Sequence, residues 1–144
     1  MEYITWTAPI LPGKTEAWRA FTAEIDGPRR DEHERSRRRI GLHCEVASLM
    51  STPQGDFVSL YHEADDLARM FREIATSQDP YDVWFRDKMI EFHGLTPEML
   101  LGPPPARLVL DYNEKTWARQ GAGRSSGSEG RAEGRAEGRT SDTE

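Results

Sequence analysis

Apolar, aromatic and β-branched residues dominate the stretch Glu2-Tyr3-Ile4-Thr5-Trp6-Thr7-Ala8, which stops at Pro9 and Leu11-Pro12-Gly13 and reads as a first strand. Behind Gly13 and Thr15 the apolar positions change period. Ala17, Trp18, Phe21 and Ile25 recur every three to four residues, the spacing of an amphipathic helix. Asp26-Gly27-Pro28 interrupts it, and a second helical segment, Arg29 to Arg39, is charged almost all round until Ile40-Gly41 end it. Leu42–Met50 and Phe57–Glu63 then predict a hairpin across a five-residue loop, Ser51 to Gly55. Asp65 or Asp66 caps a helix carrying Leu67, Met70, Phe71 and Ile74, which breaks at Ser77-Gln78-Asp79-Pro80. Asp79 and Pro80 open the next helix, which runs to Gly94. Thr96-Pro97 repeats that signature for one short turn. Three prolines, 103–105, lead into a last predicted strand, Arg107 to Tyr112.

The order is β-α-β-β-α-β, with each helix broken by a proline. This predicts an α+β fold of ferredoxin-like type, a four-stranded antiparallel sheet with its helices on one face. The other face is left bare, and packing two such sheets together as a homodimer covers it. The segments Arg37-Arg38-Arg39-Ile40-Gly41-Leu42-His43, Thr52-Pro53-Gln54-Gly55-Asp56-Phe57 and Ser77-Gln78-Asp79-Pro80-Tyr81-Asp82-Val83-Trp84-Phe85 carry a resemblance. Over roughly residues 2–112 the chain resembles a family of small uncharacterised bacterial proteins in the dimeric α/β-barrel superfamily. That superfamily holds antibiotic-biosynthesis-monooxygenase-like proteins, haem-degrading monooxygenases, polyketide cyclases and stress-responsive barrels. The resemblance implies a homodimer with a small ligand inside the barrel, and does not select among the activities.

Composition adds a boundary. Residues 121–144 contain no Leu, Ile, Val, Met or aromatic side chain, so the expected organisation is a folded domain over 1–115 and a disordered Gly/Arg/Glu/Ser-rich tail over 116–144. Four arginines in 121–144 stand against five acids and no stacking aromatic, a poor nucleic-acid arm. The net charge of −6 likewise argues against duplex binding by phosphate neutralisation. No apolar run approaches the roughly 18–20 residues of a membrane span, and the N-terminus lacks a signal-peptide pattern, so a cytoplasmic protein without a membrane partner is expected. A single cysteine, Cys44, excludes an intrachain disulfide.

A hairpin symmetric about the five-residue loop sets His43 opposite Glu63 and Glu45 opposite Tyr61 on the face inferred to line the barrel, with Ala47, Leu49 and Phe57. A histidine beside a carboxylate suits general-base work, and a tyrosine can donate to an oxyanion. The catalytic candidates are therefore His43 as base, Glu63 to orient it, and Tyr61 with Glu45 to hydrogen-bond substrate; Trp6, Leu49, Phe57 and Arg39 are the substrate-binding candidates. His43, Glu45 and Glu63 also have the composition of a divalent-metal site without the spacing of a strong motif, and as plain cross-strand pairs the same residues contribute only about 0.2–1 kcal/mol each. The same register sets Cys44 against His62 on the helix-covered face, where a lone cysteine is usually a small buried hydrophobe.

The run Arg29 to Arg39 holds six arginines and three acids. The i,i+4 pairs Asp31–Arg35 and Glu34–Arg38 favour a solvated face over an anion site, with Arg37, Arg38 and Arg39 the best placed to turn inward. The resemblance raises haem, held by a helix histidine near a tryptophan. Trp84 and His93 are nine residues apart, which at about 100° per residue puts them on opposite sides of a helix, and His93 reads as a C-terminal residue facing the macrodipole. The expectation is a small cofactor-free dimer that binds a hydrophobic or aromatic metabolite, transforming it in the monooxygenase- or cyclase-like version. The alternative is a non-catalytic binding or stress-response module.

Overall fold

The computed structural model describes residues 1–118; the expected tail lies outside the described residues from 119 onward. Strand β1 spans Glu2–Pro9, helix α1 Thr15–Asp26, α2 Arg30–Arg39, β2 Leu42–Thr52, β3 Gly55–Ala64, α3 Leu67–Thr76, α4 Pro80–His93 and α5 Pro97–Leu101. The sheet is antiparallel in the order β1-β3-β2. The chain divides into one unit over Met1–Leu108 and a second from Val109. In the second, the Asn113 carbonyl accepts from the Trp117 amide at 2.7 Å.

Short-range chemistry starts the helices where expected in most cases. The Asp66 carboxylate accepts from the Arg69 amide, Asp79 from Tyr81, and the Thr96 hydroxyl from Met99, each satisfying a helix-start N–H that has no partner within its helix. Gly94 ends α4 in the left-handed conformation, φ +65°, where a side chain would be strained. Thr15 is an exception: its hydroxyl donates to Asp56 at 2.6 Å, and α1 begins without a side-chain cap.

Two sequence expectations are corrected. The residues from Arg107 to Tyr112 form no strand, and the described sheet has three strands instead of four. Their apolar pattern supplies propensity, but a strand exists only with a ladder partner; Val109 is 85% exposed. The second correction is register. Thr52 pairs with Gly55, so the β2–β3 connection is a two-residue turn, Pro53-Gln54, instead of a five-residue loop. The Thr52 hydroxyl donates to the Gly55 carbonyl and accepts from the Gln54 amide, and Gly55 sits at φ +124°. A bulge at His43 absorbs the extra residue at the other end of the ladder.

The one-residue slip moves the β2 side chains from Cys44 onward to the opposite face, while Leu42, beyond the bulge, stays paired with Ala64. Glu45 now stands opposite His62, Ala47 opposite Leu60 and Leu49 opposite Val58. With Ile4, Trp6 and Ala8 of β1 they form the face under the helices. Cys44 pairs with Glu63 and Val46 with Tyr61 on the uncovered face, where Val46 and Met50 are exposed.

Between sheet and helices lie two apolar clusters. One joins Trp18, Phe21, Tyr81, Phe85 and Phe92 to Ala8 and Val58; the other joins Ile40, Leu42, Met70 and Phe71 to Ile4 and Ala64. A buried carboxylate ties two helices, α2 and α4, and the loop after α3 beside them. Asp82 of α4 accepts from Ser36 Oγ at 2.5 Å, Ser77 Oγ at 2.6 Å and Arg39 Nη2 at 2.7 Å. Burial pushes its pKa up, but the three donors outweigh burial and hold it below the usual carboxylate range. The stability this linkage adds is therefore complete at neutral pH and fades as pH falls through the depressed folded pKa. Asp82→Asn is expected to cost about 1–3 kcal/mol at pH 7, with the wild-type and variant stabilities converging in acid; urea unfolding across a pH series measures both.

Candidate functional site

The face swap brings together residues that the expected register kept apart. Residues of β1, β2 and β3 floor a cavity of about 220 Å³, and helices α1 to α4 with Leu95 and Leu100 roof it. Trp6, Val58, Leu60, Trp18, Phe21, Phe71, Phe85 and Met89 make its wall mostly apolar and aromatic. Ala47 lines the cavity and is also exposed, so the space opens beside β2. A second depression, among α3, α5 and residues 103–108, has only exposed charged members, Glu2, Arg72, Glu98 and Arg107.

The polar groups of the cavity come mainly from α2 and the sheet. His33, Ser36, Arg37 and Ile40 follow the i, i+3, i+4, i+7 spacing that puts residues on one helix face, and this face packs inward. Arg37 donates through Nε to Glu45 Oε2 at 2.6 Å and through Nη2 to Oε1 at 3.4 Å, and its Nη1 donates to Ser36 Oγ at 3.2 Å. The guanidinium carbon lies 4.2 Å from the Phe85 ring centre. Burial pushes the Glu45 pKa up, but Arg37, together with His33 and His62, more than offsets this, and the carboxyl stays ionised below its ordinary range. Cation and anion thus cancel inside the site.

Three imidazoles line the same cavity, all kept neutral chiefly by burial. Burial, with Arg37 nearby, holds His33 down at about 4; its Nδ1 shares a 2.6 Å hydrogen bond with the Tyr81 hydroxyl, and its Nε2 is 3.8 Å from Glu45 Oε1. His62 accepts at Nδ1 from the Trp6 indole N–H at 3.1 Å. His93 donates from Nδ1 to the Pro9 carbonyl at 2.8 Å. Burial lowers the pKa of His62 and of His93 as well.

The sequence-predicted cluster is not assembled. His43 is half-exposed at the bulge and bonded to Asp65 at 2.7 Å, away from Glu63. On the uncovered face Tyr61 donates to Glu63 at 2.5 Å, and that hydrogen bond pushes its phenol up to about 12. Phe57 lies on that face too, half-buried. Leu49 packs against the first apolar cluster without lining the cavity, and Arg39 is spent on Asp82 and Asp79. Of the candidates, Trp6 and Glu45 line the cavity. Cys44 does not meet His62, and no group of three His, Cys, Asp or Glu among the described residues could hold a metal ion. His33, Arg37 and His93 enter the site through the stripe of α2 and the end of α4. Thr52-Pro53-Gln54-Gly55, with the Pro and Gly preferences of a type I turn, was the signal for the correct register.

Fold and cavity define an α+β domain that encloses a largely apolar, internally neutral space of ligand size. Residues 1–108 match DUF6176, a family of unknown function, and the chain belongs to that family. No curated protein and no solved structure matches it. No helix among the described residues is long and apolar enough to cross a membrane.

Proposed function

We propose that this protein is a cytoplasmic, homodimeric domain of the ferredoxin-like, dimeric α/β-barrel type that binds a small, uncharged, aromatic molecule. The cavity carries this reading. Its 220 Å³ exceeds the roughly 150 Å³ that admits benzene and falls short of the roughly 300–1,000 Å³ of drug-sized pockets, which suits one or two fused rings. An aromatic wall rewards such a ligand through burial and ring packing, and the closed Arg37–Glu45 pair leaves no free charge to hold an acid or an amine. The site is thus moved from the uncovered face to the space under the helices. The uncovered face, with Tyr3, Val46, Met50, Phe57 and Tyr61, is left for a second copy, giving a particle of twice the 16.4 kDa chain mass.

Naphthalene tests the cavity directly. It should quench or shift the fluorescence of Trp6 and Trp18 and raise the melting temperature, by an amount equivalent to about 2.7 kcal/mol at a hundredfold excess over Kd. Ala47→Phe, which fills the opening, should abolish both effects without unfolding the domain. Binding undiminished in Ala47→Phe, or no response in the wild type, would reject the site.

A further inference from the structure

Each of two buried imidazoles that line this cavity has one uncommitted nitrogen, and the two have opposite polarity. His62 and His93 are 6% and 5% exposed. An indole N–H only donates, so the bond from Trp6 makes His62 Nδ1 an acceptor and places the ring's proton on Nε2. A carbonyl only accepts, so the bond to Pro9 places the proton of His93 on Nδ1 and leaves Nε2 a bare lone pair. Neither Nε2 has a hydrogen-bond partner among the described residues, although no fully enclosed side-chain polar atom there lacks one. Both nitrogens are therefore reachable, and the space their rings line is the cavity. Arg37 is committed to Glu45 and Ser36, Glu45 to Arg37, and His33 Nδ1 to Tyr81, while His33 Nε2 lies 3.8 Å from the Glu45 carboxylate.

Their positions follow from β1. His62 is opposite Ile4, and His93 is tied to Pro9, five residues further along, about 16 Å of strand. The two rings are thus anchored at separate points along β1. Resting on the aromatic-ligand reading above, we propose that the site selects an elongated, neutral aryl compound with a hydrogen-bond acceptor such as a ketone at the His62 end and a donor such as a phenolic hydroxyl at the His93 end. A ligand lacking these groups would displace solvent from a donor and an acceptor without replacing the hydrogen bonds, which discriminates against such analogues.

Four probes of one ring system separate the possibilities: naphthalene, 2-acetylnaphthalene, 2-naphthol and 6-hydroxy-2-acetylnaphthalene, titrated into the full chain by calorimetry. Each matched group should tighten binding about fivefold to tenfold, so that the bifunctional probe binds best. His62→Phe should erase the gain from the acetyl group and keep that from the hydroxyl; His93→Phe should do the reverse. Four affinities within twofold of one another in the wild type would overturn the polarity assignment while leaving the aromatic site standing, and that comparison holds even if a variant fails to fold. Equal loss of both gains in each variant also overturns it. Failure of all four probes, naphthalene included, removes the aromatic site and this inference with it.

Discussion

Arg37→Ala should destabilise the domain by about 3–5 kcal/mol at pH 7, read as a lower urea midpoint with an unchanged slope. The size follows from what is left behind. The Arg37 side chain is 9% exposed and that of Glu45 22%, so removing the guanidinium strands a carboxylate that burial disfavours, along with Ser36 Oγ and the Phe85 face that lose a neighbour. The pH dependence has a definite sign. In the wild type the Glu45 pKa is depressed, so the pair's contribution is present at neutral pH and is lost as pH falls through the folded pKa. In the variant burial loses its main opponent and raises that pKa; the penalty is full at neutral pH and is relieved by protonation. The two stabilities therefore approach each other in acid. Arg37→Leu combined with Glu45→Leu should recover most of the loss, because two apolar side chains carry no stranded charge. A loss below about 1 kcal/mol for Arg37→Ala, or a gap that widens in acid, would contradict the buried-pair description.

The same pair shows what could be read from the chain alone and what could not. Elements governed by neighbours in sequence were legible: the caps at Asp66, Asp79 and Thr96, the left-handed stop at Gly94, and the break between α3 and α4. The hairpin was legible as a hairpin, but its register depended on two residues of turn geometry, and a period of two turns a one-residue error into exchanged faces. That error is why Glu45 was set beside Tyr61 when it faces His62 and Arg37. In α2 the inward stripe His33, Ser36, Arg37, Ile40 was present in the sequence but lay among six arginines, and a charge count favours the solvated reading until a buried carboxylate explains the exception. The bond from His93 to Pro9 spans 84 positions, and nothing local points to it. Residues 107–112 show the converse: strand propensity without a ladder in the described sheet.

Phe92→Ala should cost about 3–5 kcal/mol, a large part of the roughly 5–15 kcal/mol by which a domain of this size is stable. Phe92 is 1% exposed, its ring centre 5.4 Å from that of Phe21, with Lys88 Nζ 5.6 Å from its centroid. Truncation removes an aromatic ring from a close-packed cluster that relaxes only in part, so the lost transfer energy and the new void add. Ile90, two residues earlier on the same helix and exposed, provides the contrast: Ile90→Ala should change stability by less than about 1 kcal/mol. Calorimetric melting of both variants decides the matter, and comparable losses would mean that the seat of α4 against α1 is not what supports its C-terminal end. The consequence reaches the cavity. Phe21 is both a neighbour of Phe92 and part of the cavity wall, while the Phe92 carbonyl accepts from the Leu11 amide at 2.8 Å and the next residue, His93, holds Pro9. Packing at Phe92 thus fixes the end of β1 and the ring of His93 together. Phe92→Ala should therefore weaken the response to a hydroxyl on the ligand more than the response to a ketone, since the His62 end is held separately by Trp6.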